Sequence, residues 1–90
     1  MPTYISLIKL THQGVTNIKQ GPSRLDAGKE TLKAFYLTMG QYDLVTISEA
    51  ADDAAACKVA LAISAAGNVT TETLRAFNED EYREIVAALP

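Results

Sequence analysis

The stretch TLKAFYLTMGQYDLVTISE, residues 31–49, decides the fold. Two runs rich in apolar and β-branched residues flank the short turn Gly40-Gln41, a pattern that is typical of a β-hairpin. The first run predicts a strand over Thr31–Met39, and the second predicts a strand over Asp43–Glu49. Apolar residues occupy both faces of the first of these strands, with Phe35, Leu37 and Met39 on one face and Leu32, Ala34 and Tyr36 on the other.

Upstream of the hairpin, the chain predicts one strand followed by a broken helix. Thr3–Leu10 alternates in the manner of a strand that is covered on both sides. Gly21-Pro22 interrupts the helical spacing that follows, because proline cannot donate a backbone hydrogen bond. We therefore expect the second half of this helix to run from Ser23, as its N-cap, to Glu30. One face of the strand carries Tyr4, Ile8 and Leu10, and the other carries Ile5 and Leu7. The apolar stripe of the helix consists of Val15, Ile18 and Leu25.

Downstream of the hairpin, a helix and a strand are predicted. Asp52 is a suitable N-cap for a helix over Asp53–Ala66, and Gly67-Asn68 ends it in the manner of a left-handed C-terminal cap. The β-branched residues that follow predict a strand over Val69–Phe77. The stripe that this helix turns toward the sheet is predicted to contain Ala55, Val59, Ala62, Ile63 and Ala66.

A last helix is predicted at the end of the sequence. Asn78 and Glu81 have the spacing of a capping box, and an apolar stripe at positions i, i+3, i+4 and i+7 follows. The complete order is β-α-β-β-α-β plus a C-terminal helix, which is the ferredoxin-like α+β arrangement. A length of 90 residues corresponds to a single domain over residues 1–90. The stripe of the last helix consists of Tyr82, Ile85, Val86 and Leu89.

Composition excludes several classes of function. The net charge is −3 and the basic residues are scattered, so there is no basic stripe of the kind that binds nucleic acid or anionic lipid. No apolar run reaches the length of a membrane span, and the first residues do not have the pattern of a signal peptide. Cys57 is the one cysteine, so an intrachain disulfide cannot form. These features predict a cytoplasmic protein without partners among nucleic acids or membranes.

Self-association follows from the predicted sheet. In this topology the helices cover one face of the sheet, yet the first two strands are substantially apolar on both faces. Exposed apolar side chains cost about 1.5–3 kcal/mol each relative to full burial. The simplest cover is the same surface of a second copy related by a two-fold axis. The alternative is that the C-terminal helix folds back over the open face. The two arrangements can coexist, with the helix covering one edge of a dimeric barrel.

The hairpin also carries a family resemblance. Gly40-Gln41-Tyr42-Asp43 resembles the G-x-Y-D signature of the GYD domain family. The resemblance extends through most of the chain, which makes it far more specific than the tetrapeptide alone. The other matching segments are Pro2–Ile5, Gln13–Gly14 with Asn17–Lys19, Lys33–Gly40, Glu49–Ala50 with Asp52–Asp53, and Gly67–Val69 followed by Glu72–Phe77.

The resemblance implies a dimeric α/β barrel but no assigned biochemical role. The stretch between Arg24 and Leu32 is shorter than is usual for the family, so we expect a stunted first helix and a more open pocket beside it. The hairpin is also similar to that of the ligand-sensing domains of leucine-responsive regulators, which bind small effectors between subunits. This chain lacks the helix-turn-helix of those regulators, and the likeness concerns the fold alone.

Candidate ligand-binding residues cluster in the hairpin and its neighbourhood. Each hairpin candidate also has a structural role that could explain it. Gly40 and Asp43 could serve the turn instead of a ligand, and Tyr42 could serve packing between subunits. His12 ends the first strand, where a general base would be chemically sensible, although an exposed histidine is commonly just solvated. Arg75 is suited to a carboxylate. The predicted set is His12, Tyr36, Gly40, Tyr42, Asp43 and Arg75, with no catalytic residue, no metal site and no cofactor.

Two functional hypotheses result, together with a purely structural role as a third. The first is a homo-oligomeric, non-enzymatic module that binds a small molecule in a barrel or intersubunit pocket. It is favoured because no catalytic cluster is recognisable. The alternative is a cofactor-free enzyme of the dimeric-barrel kind, an oxygenase or isomerase for a small hydrophobic substrate. Its acid–base groups would be His12, Tyr36, Tyr42 and Asp43.

Overall fold

A computed structural model describes residues 1–29 and 32–90 of the chain. Its elements follow the predicted β-α-β-β-α-β order with a terminal helix. Residues 30 and 31, where the predicted first helix ends and the predicted second strand begins, lie outside the described residues. The elements are β1 (Thr3–Leu10), α1 (His12–Thr16), a 3₁₀ turn (Ile18–Gln20), α2 (Gly21–Gly28), β2 (Leu32–Leu37), β3 (Leu44–Glu49), α3 (Asp53–Ala65), β4 (Val69–Ala76) and α4 (Glu79–Ala87).

The four strands form one antiparallel sheet in the order β2-β3-β1-β4. Strands β1 and β3 occupy the centre, so each of the two β-α-β units is split by a strand of the other. At the middle of the sheet, Ile5 of β1 stands opposite Ile47 of β3 and Leu74 of β4. The predicted α+β arrangement is confirmed.

The two faces of the sheet differ in their cover. Tyr4 donates its hydroxyl hydrogen to Oδ1 of Asp53 in α3 at 2.6 Å, and Thr71 and Thr73 line a depression with α3. These residues define the helix face. Side chains alternate along a strand, so the strand residues that neighbour these helix-face residues in sequence point to the opposite side of the sheet. We call that side the open face; its apolar residues are Ile5, Leu7, Ala34, Tyr36, Val45, Ile47 and Leu74.

An irregularity in β2 corrects one predicted orientation. Leu32 pairs with Ser48, but Ala34 pairs with Ile47, so the register shifts between them. An inserted residue reverses the alternation of a strand. Leu32 therefore shares the helix face with Phe35, whereas the alternation alone predicts that Leu32 lies with Ala34.

The first helical segment is broken, as predicted, but at different residues. Helix α2 begins at Gly21 and contains Pro22 in its first turn, so Ser23 is not the N-cap. Proline suits this place because its missing N–H is unpaired there in any helix. Helix α1 has five residues, and Thr11 caps it by accepting a hydrogen bond from the Gly14 amide at 3.1 Å.

Helix α3 begins as predicted but turns a different stripe toward the sheet. Asp52 accepts the Ala55 amide at 2.8 Å, which confirms the N-cap. Ala55 of the predicted stripe is partly buried, but Val59 and Ile63 are exposed. The other partly buried positions of the helix are Ala56, Ala60 and Ser64. An alanine-rich helix has little apolar asymmetry, so its sequence does not distinguish the faces well.

Helix α4 projects from the body of the molecule. Its capping box between Asn78 and Glu81 is formed as predicted. The helix has no extended packing against any other described element, and its apolar side chains are exposed. The alternative in which this helix covers the open face is therefore wrong for a single chain. The radius of gyration is 14.7 Å, against about 12 Å for a compact domain of this length.

Candidate functional site

The open face is a continuous, largely apolar surface on one side of the sheet. Ile5, Leu7, Val45 and Ile47 at its centre are half-buried by one another, and Tyr36 at its edge is 58% exposed. Central strands β1 and β3 supply the middle, and the edge strands supply the flanks. A face of this composition is suited to contact with another apolar surface.

A polar cluster lies at the hairpin end of this face. Tyr42 donates its hydroxyl hydrogen to Oε2 of Glu72 at 2.7 Å, and the ammonium of Lys9 is 5.5 Å from the centre of the Tyr42 ring. The hydrogen bond to the Glu72 carboxylate raises the pKa of Tyr42 above its usual value. Lys9 and Glu72 are absent from the predicted site. Side chains alternate along β1 and β4, and this pattern in the sequence could have predicted that Lys9 and Glu72 lie on the same face as Leu7.

An ion pair marks the opposite end of the open face. Nζ of Lys33 is 2.8 Å from Oε1 of Glu49. The hydrogen bond from Lys33 holds the pKa of Glu49 below its usual value. Charged side chains therefore lie at both ends of an apolar centre, an arrangement typical of a polar rim around an interface core.

Asp43 and Gly40 have structural roles in the hairpin. Oδ2 of Asp43 accepts the Leu10 amide at 2.8 Å, and the Asp43 amide donates to the carbonyl of Ile8 at 2.8 Å. Both bonds extend the pairing of β3 with β1. Gly40 has φ of +119°, a conformation that favours glycine.

The other predicted residues lie apart from one another. His12 is exposed at the first position of α1, and Tyr36 is on the open face. Arg75 lies at the far end of β4, with its guanidinium 4.4 Å from the centre of the Phe77 ring. Among the described residues, no hydrogen bond joins any two members of the predicted set. Tyr36 and Tyr42 are the two that share the open face.

Two depressions in the described chain are shallow and open. One, of about 390 Å³, lies between α3 and β4, and the other, of about 220 Å³, lies between α2 and β2. None of the predicted site residues lines either depression. The described residues contain no group of three acidic, histidine or cysteine side chains placed to hold a metal ion. No helix in the described ranges is long and apolar enough to cross a bilayer.

The sheet order and the split β-α-β units define a small ferredoxin-like α+β domain. The GYD domain family model matches residues 4–86, and the chain belongs to that family. The resemblance carried by the hairpin tetrapeptide and its flanking segments is thereby confirmed.

Comparison with known proteins also finds similar sequences and structures. A protein of Thermus thermophilus, named "Glutamine synthetase and cystathionine beta-lyase binding protein", is 33% identical over 84 residues, which cover 84% of this chain and 88% of the relative. A crystal structure of a Thermus thermophilus protein is 29% identical, with a TM-score of 0.66 and coverage of 87% of this chain and 95% of that one.

A more distant structure shows the fold alone. It is the crystal structure of a single-residue mutant, 19% identical, with a TM-score of 0.71. The match covers 86% of this chain, which spans about half the length of that protein.

Proposed function

We propose that this chain is a non-enzymatic binding module that works as a homodimer, with the open faces of two copies packed together as a dimeric α/β barrel. The observation that carries the proposal is the open face itself, which is apolar at its centre and uncovered in the single chain. The two-fold symmetry of a homodimer lets one such face cover another.

The exposed area of the chain supports a dimer. The surface is 6613 Å², whereas a compact monomer of 9.7 kDa exposes about 5100 Å². The excess of about 1500 Å² exceeds the roughly 800 Å² that each partner buries in a standard interface. The buried apolar side chains of the described residues are Tyr4 and Ile8, a core too small for a subunit that works alone.

Sedimentation velocity tests the dimer. Ile47→Asp places a carboxylate at the centre of the open face, and we expect it to raise the dimer dissociation constant at least 100-fold. Ala51→Asp, at an exposed position before α3, adds the same charge away from the face and should sediment like the unmodified chain. A monomeric unmodified chain at micromolar concentration would contradict the proposal, as would equal effects of the two variants.

The partner class that we propose is a metabolic enzyme. This rests on the Thermus relative, whose name describes it as a binding protein for glutamine synthetase and cystathionine beta-lyase. The lack of a hydrogen-bonded acid–base set among His12, Tyr36, Tyr42 and Asp43 favours binding over catalysis. We propose that this chain binds one or both enzymes of its own organism as the assembled dimer.

Biolayer interferometry with the two purified enzymes tests this partner class. Immobilised unmodified chain should bind at least one enzyme with micromolar or tighter affinity, and serum albumin serves as the unrelated control. The dimer-deficient Ile47→Asp variant should bind more weakly if the assembled surface is what the enzyme recognises. Absence of binding to both enzymes at about 50 μM, well above a micromolar dissociation constant, would reject the partner class while leaving the dimer intact.

A small-molecule ligand is the second candidate, and the cluster of Tyr42, Lys9 and Glu72 favours it. This cluster presents a phenol, an ammonium and a carboxylate beside an apolar surface, the combination that orients small ligands in pockets. Packing of two open faces would enclose it. Native mass spectrometry of the dimer should then detect a retained mass that Tyr42→Phe reduces; a dimer with no added mass would reject this candidate.

A further inference from the structure

Helix α4 leaves the body of the molecule through a short link. Phe77 and Asn78 alone separate the helix from β4. Each link residue has two soft backbone dihedral angles, so the chain by itself permits many directions for α4. Among the described residues, no other element packs extensively against α4 and selects one of these directions. Side-chain contacts at the end of β4 are therefore what can fix the helix.

The guanidinium of Arg75 occupies this position. We infer that Arg75 is a positioning residue that holds α4 in one direction relative to the sheet. Arg75 lies next to the end of β4 and is paired with Tyr4 of β1, so its side chain is on the helix face. All of its contacts are made within a single chain, so this inference does not depend on the proposed homodimer.

Two aromatic rings lie within cation–π distance of this guanidinium. Its central carbon is 4.4 Å from the centre of the Phe77 ring and 5.8 Å from the centre of the Tyr4 ring. A guanidinium near the face of such a ring is attracted by the quadrupole of the ring. Tyr4 is 3% exposed and is held by its hydrogen bond to Asp53. The ring of the first link residue is therefore connected, through Arg75, to a fixed part of the sheet.

Polar contacts extend the same connection to the first turn of α4. Nη1 of Arg75 donates to the carbonyl of Thr3 at 3.4 Å and to the carbonyl of Ala76. Nη2 is 4.0 Å from Oε2 of Glu81. Oε1 of the same carboxylate accepts the amide of Asn78 and closes the capping box. The contacts of Arg75 therefore join the start of β1, the end of β4 and the first turn of α4.

Arginine is suited to this role by its shape. Its planar group carries five N–H donors and a permanent charge, so it can lie near a ring and donate to carbonyl oxygens at the same time. Each contact is weak by itself, because the Arg75 side chain is 31% exposed and an ion pair of this exposure contributes little. The direction of α4 therefore depends on the combination, and a substitution of Arg75 removes all of these contacts together.

Residual dipolar couplings test the inference, because they report the direction of α4 relative to the strands. In a neutral stretched gel, the amides of α4 and of the sheet should fit one alignment tensor in the unmodified chain. In Arg75→Ala, the couplings of α4 should shrink by about half or more, since the released helix averages over several directions. Arg83→Ala is the matched control, because it removes the same charge from a residue that pairs with Glu79 inside α4. Its couplings should still fit the common tensor.

Cα chemical shifts of residues 80–87 separate the direction of the helix from its formation. They should remain helical in both variants, because the capping box is intact. Arg75→Lys keeps the charge but not the planar donors, and should restore less than about half of the lost coupling. Four results would each overturn the inference: a separate tensor for α4 in the unmodified chain, unchanged couplings in Arg75→Ala, equal shrinkage in Arg83→Ala, or loss of helical shifts in Arg75→Ala. Full recovery in Arg75→Lys would reject the role of the planar group.

Discussion

Asp43 illustrates how one carboxylate stabilises a hairpin. It accepts the amide hydrogen of Leu10 beyond the last paired residues of β1 and β3. We predict that Asp43→Ala lowers the free energy of unfolding by about 1–3 kcal/mol, because the amide of Leu10 loses its acceptor. Asp43→Asn keeps an oxygen there and should recover most of the loss. Urea unfolding at one protein concentration measures both; an unchanged stability of Asp43→Ala would argue for a ligand role instead.

Tyr4 makes the stability depend on alkaline pH. The hydrogen bond to the Asp53 carboxylate raises the pKa of Tyr4 to about 12, above the value of about 10 in an unfolded chain. The folded state thus retains a proton that the unfolded state has lost. This contribution is complete below pH 10 and disappears as the pH rises toward 12.

The measurement compares urea unfolding at pH 8, 9, 10 and 11. The unmodified chain should lose stability above pH 10 more steeply than Tyr4→Phe, which cannot ionise. Asp53→Asn removes the charge that raises the pKa of Tyr4 and should flatten the profile in the same way. Parallel profiles for all three proteins would contradict this role of the Tyr4–Asp53 bond.

At the scale of elements, α1 is joined to the turn between α3 and β4 by a close approach. A Cβ on Gly14 would lie 2.0 Å from the carbonyl oxygen of Asn68. Thr11 donates from its backbone to that oxygen at 3.0 Å and from its hydroxyl to the Gly67 carbonyl at 2.6 Å. The two segments are therefore in contact through backbone, with no space for a side chain.

We predict that Gly14→Ala destabilises the fold by about 1–3 kcal/mol, since α1 must move away from the turn. Gly28→Ala is the matched control, because its Cβ would meet nothing within 4 Å. That control should be neutral or stabilising by up to about 1 kcal/mol. Urea midpoints for the two variants settle the comparison, and a loss in Gly28→Ala equal to that in Gly14→Ala would count against the close approach.

The capping box determines how well α4 is formed. Asn78 accepts the Glu81 amide at 2.8 Å, and the Glu81 carboxylate accepts the Asn78 amide at 3.0 Å. We predict that Asn78→Ala speeds amide exchange over residues 82–88 by roughly 5-fold, for a cap worth about 1 kcal/mol. Asn78→Asp keeps the capping oxygen and should exchange at nearly the original rate. Protection that is independent of residue 78 would show that packing, and not the cap, holds the helix.

The whole molecule is elongated, with extents of 52 × 27 × 18 Å, because α4 projects from a thin two-layer body. Because the described residues bury few apolar side chains, the proposed homodimer should contribute much of the stability. We predict that Tm rises on the order of 5 °C when the protein concentration increases 100-fold, since a dimer unfolds to two chains. Scanning calorimetry over that range measures it, and the Ile47→Asp variant should show no such dependence.

Sequence alone determined the order of elements, the hairpin, the caps at Asp52 and Asn78 and the family. These depend on local chemistry: alternation, turn residues and capping oxygens act within a few positions. Tertiary structure alone decided the face of Leu32, the stripe that α3 buries, the grouping of Tyr42 with Lys9 and Glu72, and the separation of Arg75 from the hairpin. Those features depend on strand register and on contacts between residues far apart in the chain, which local pattern cannot specify.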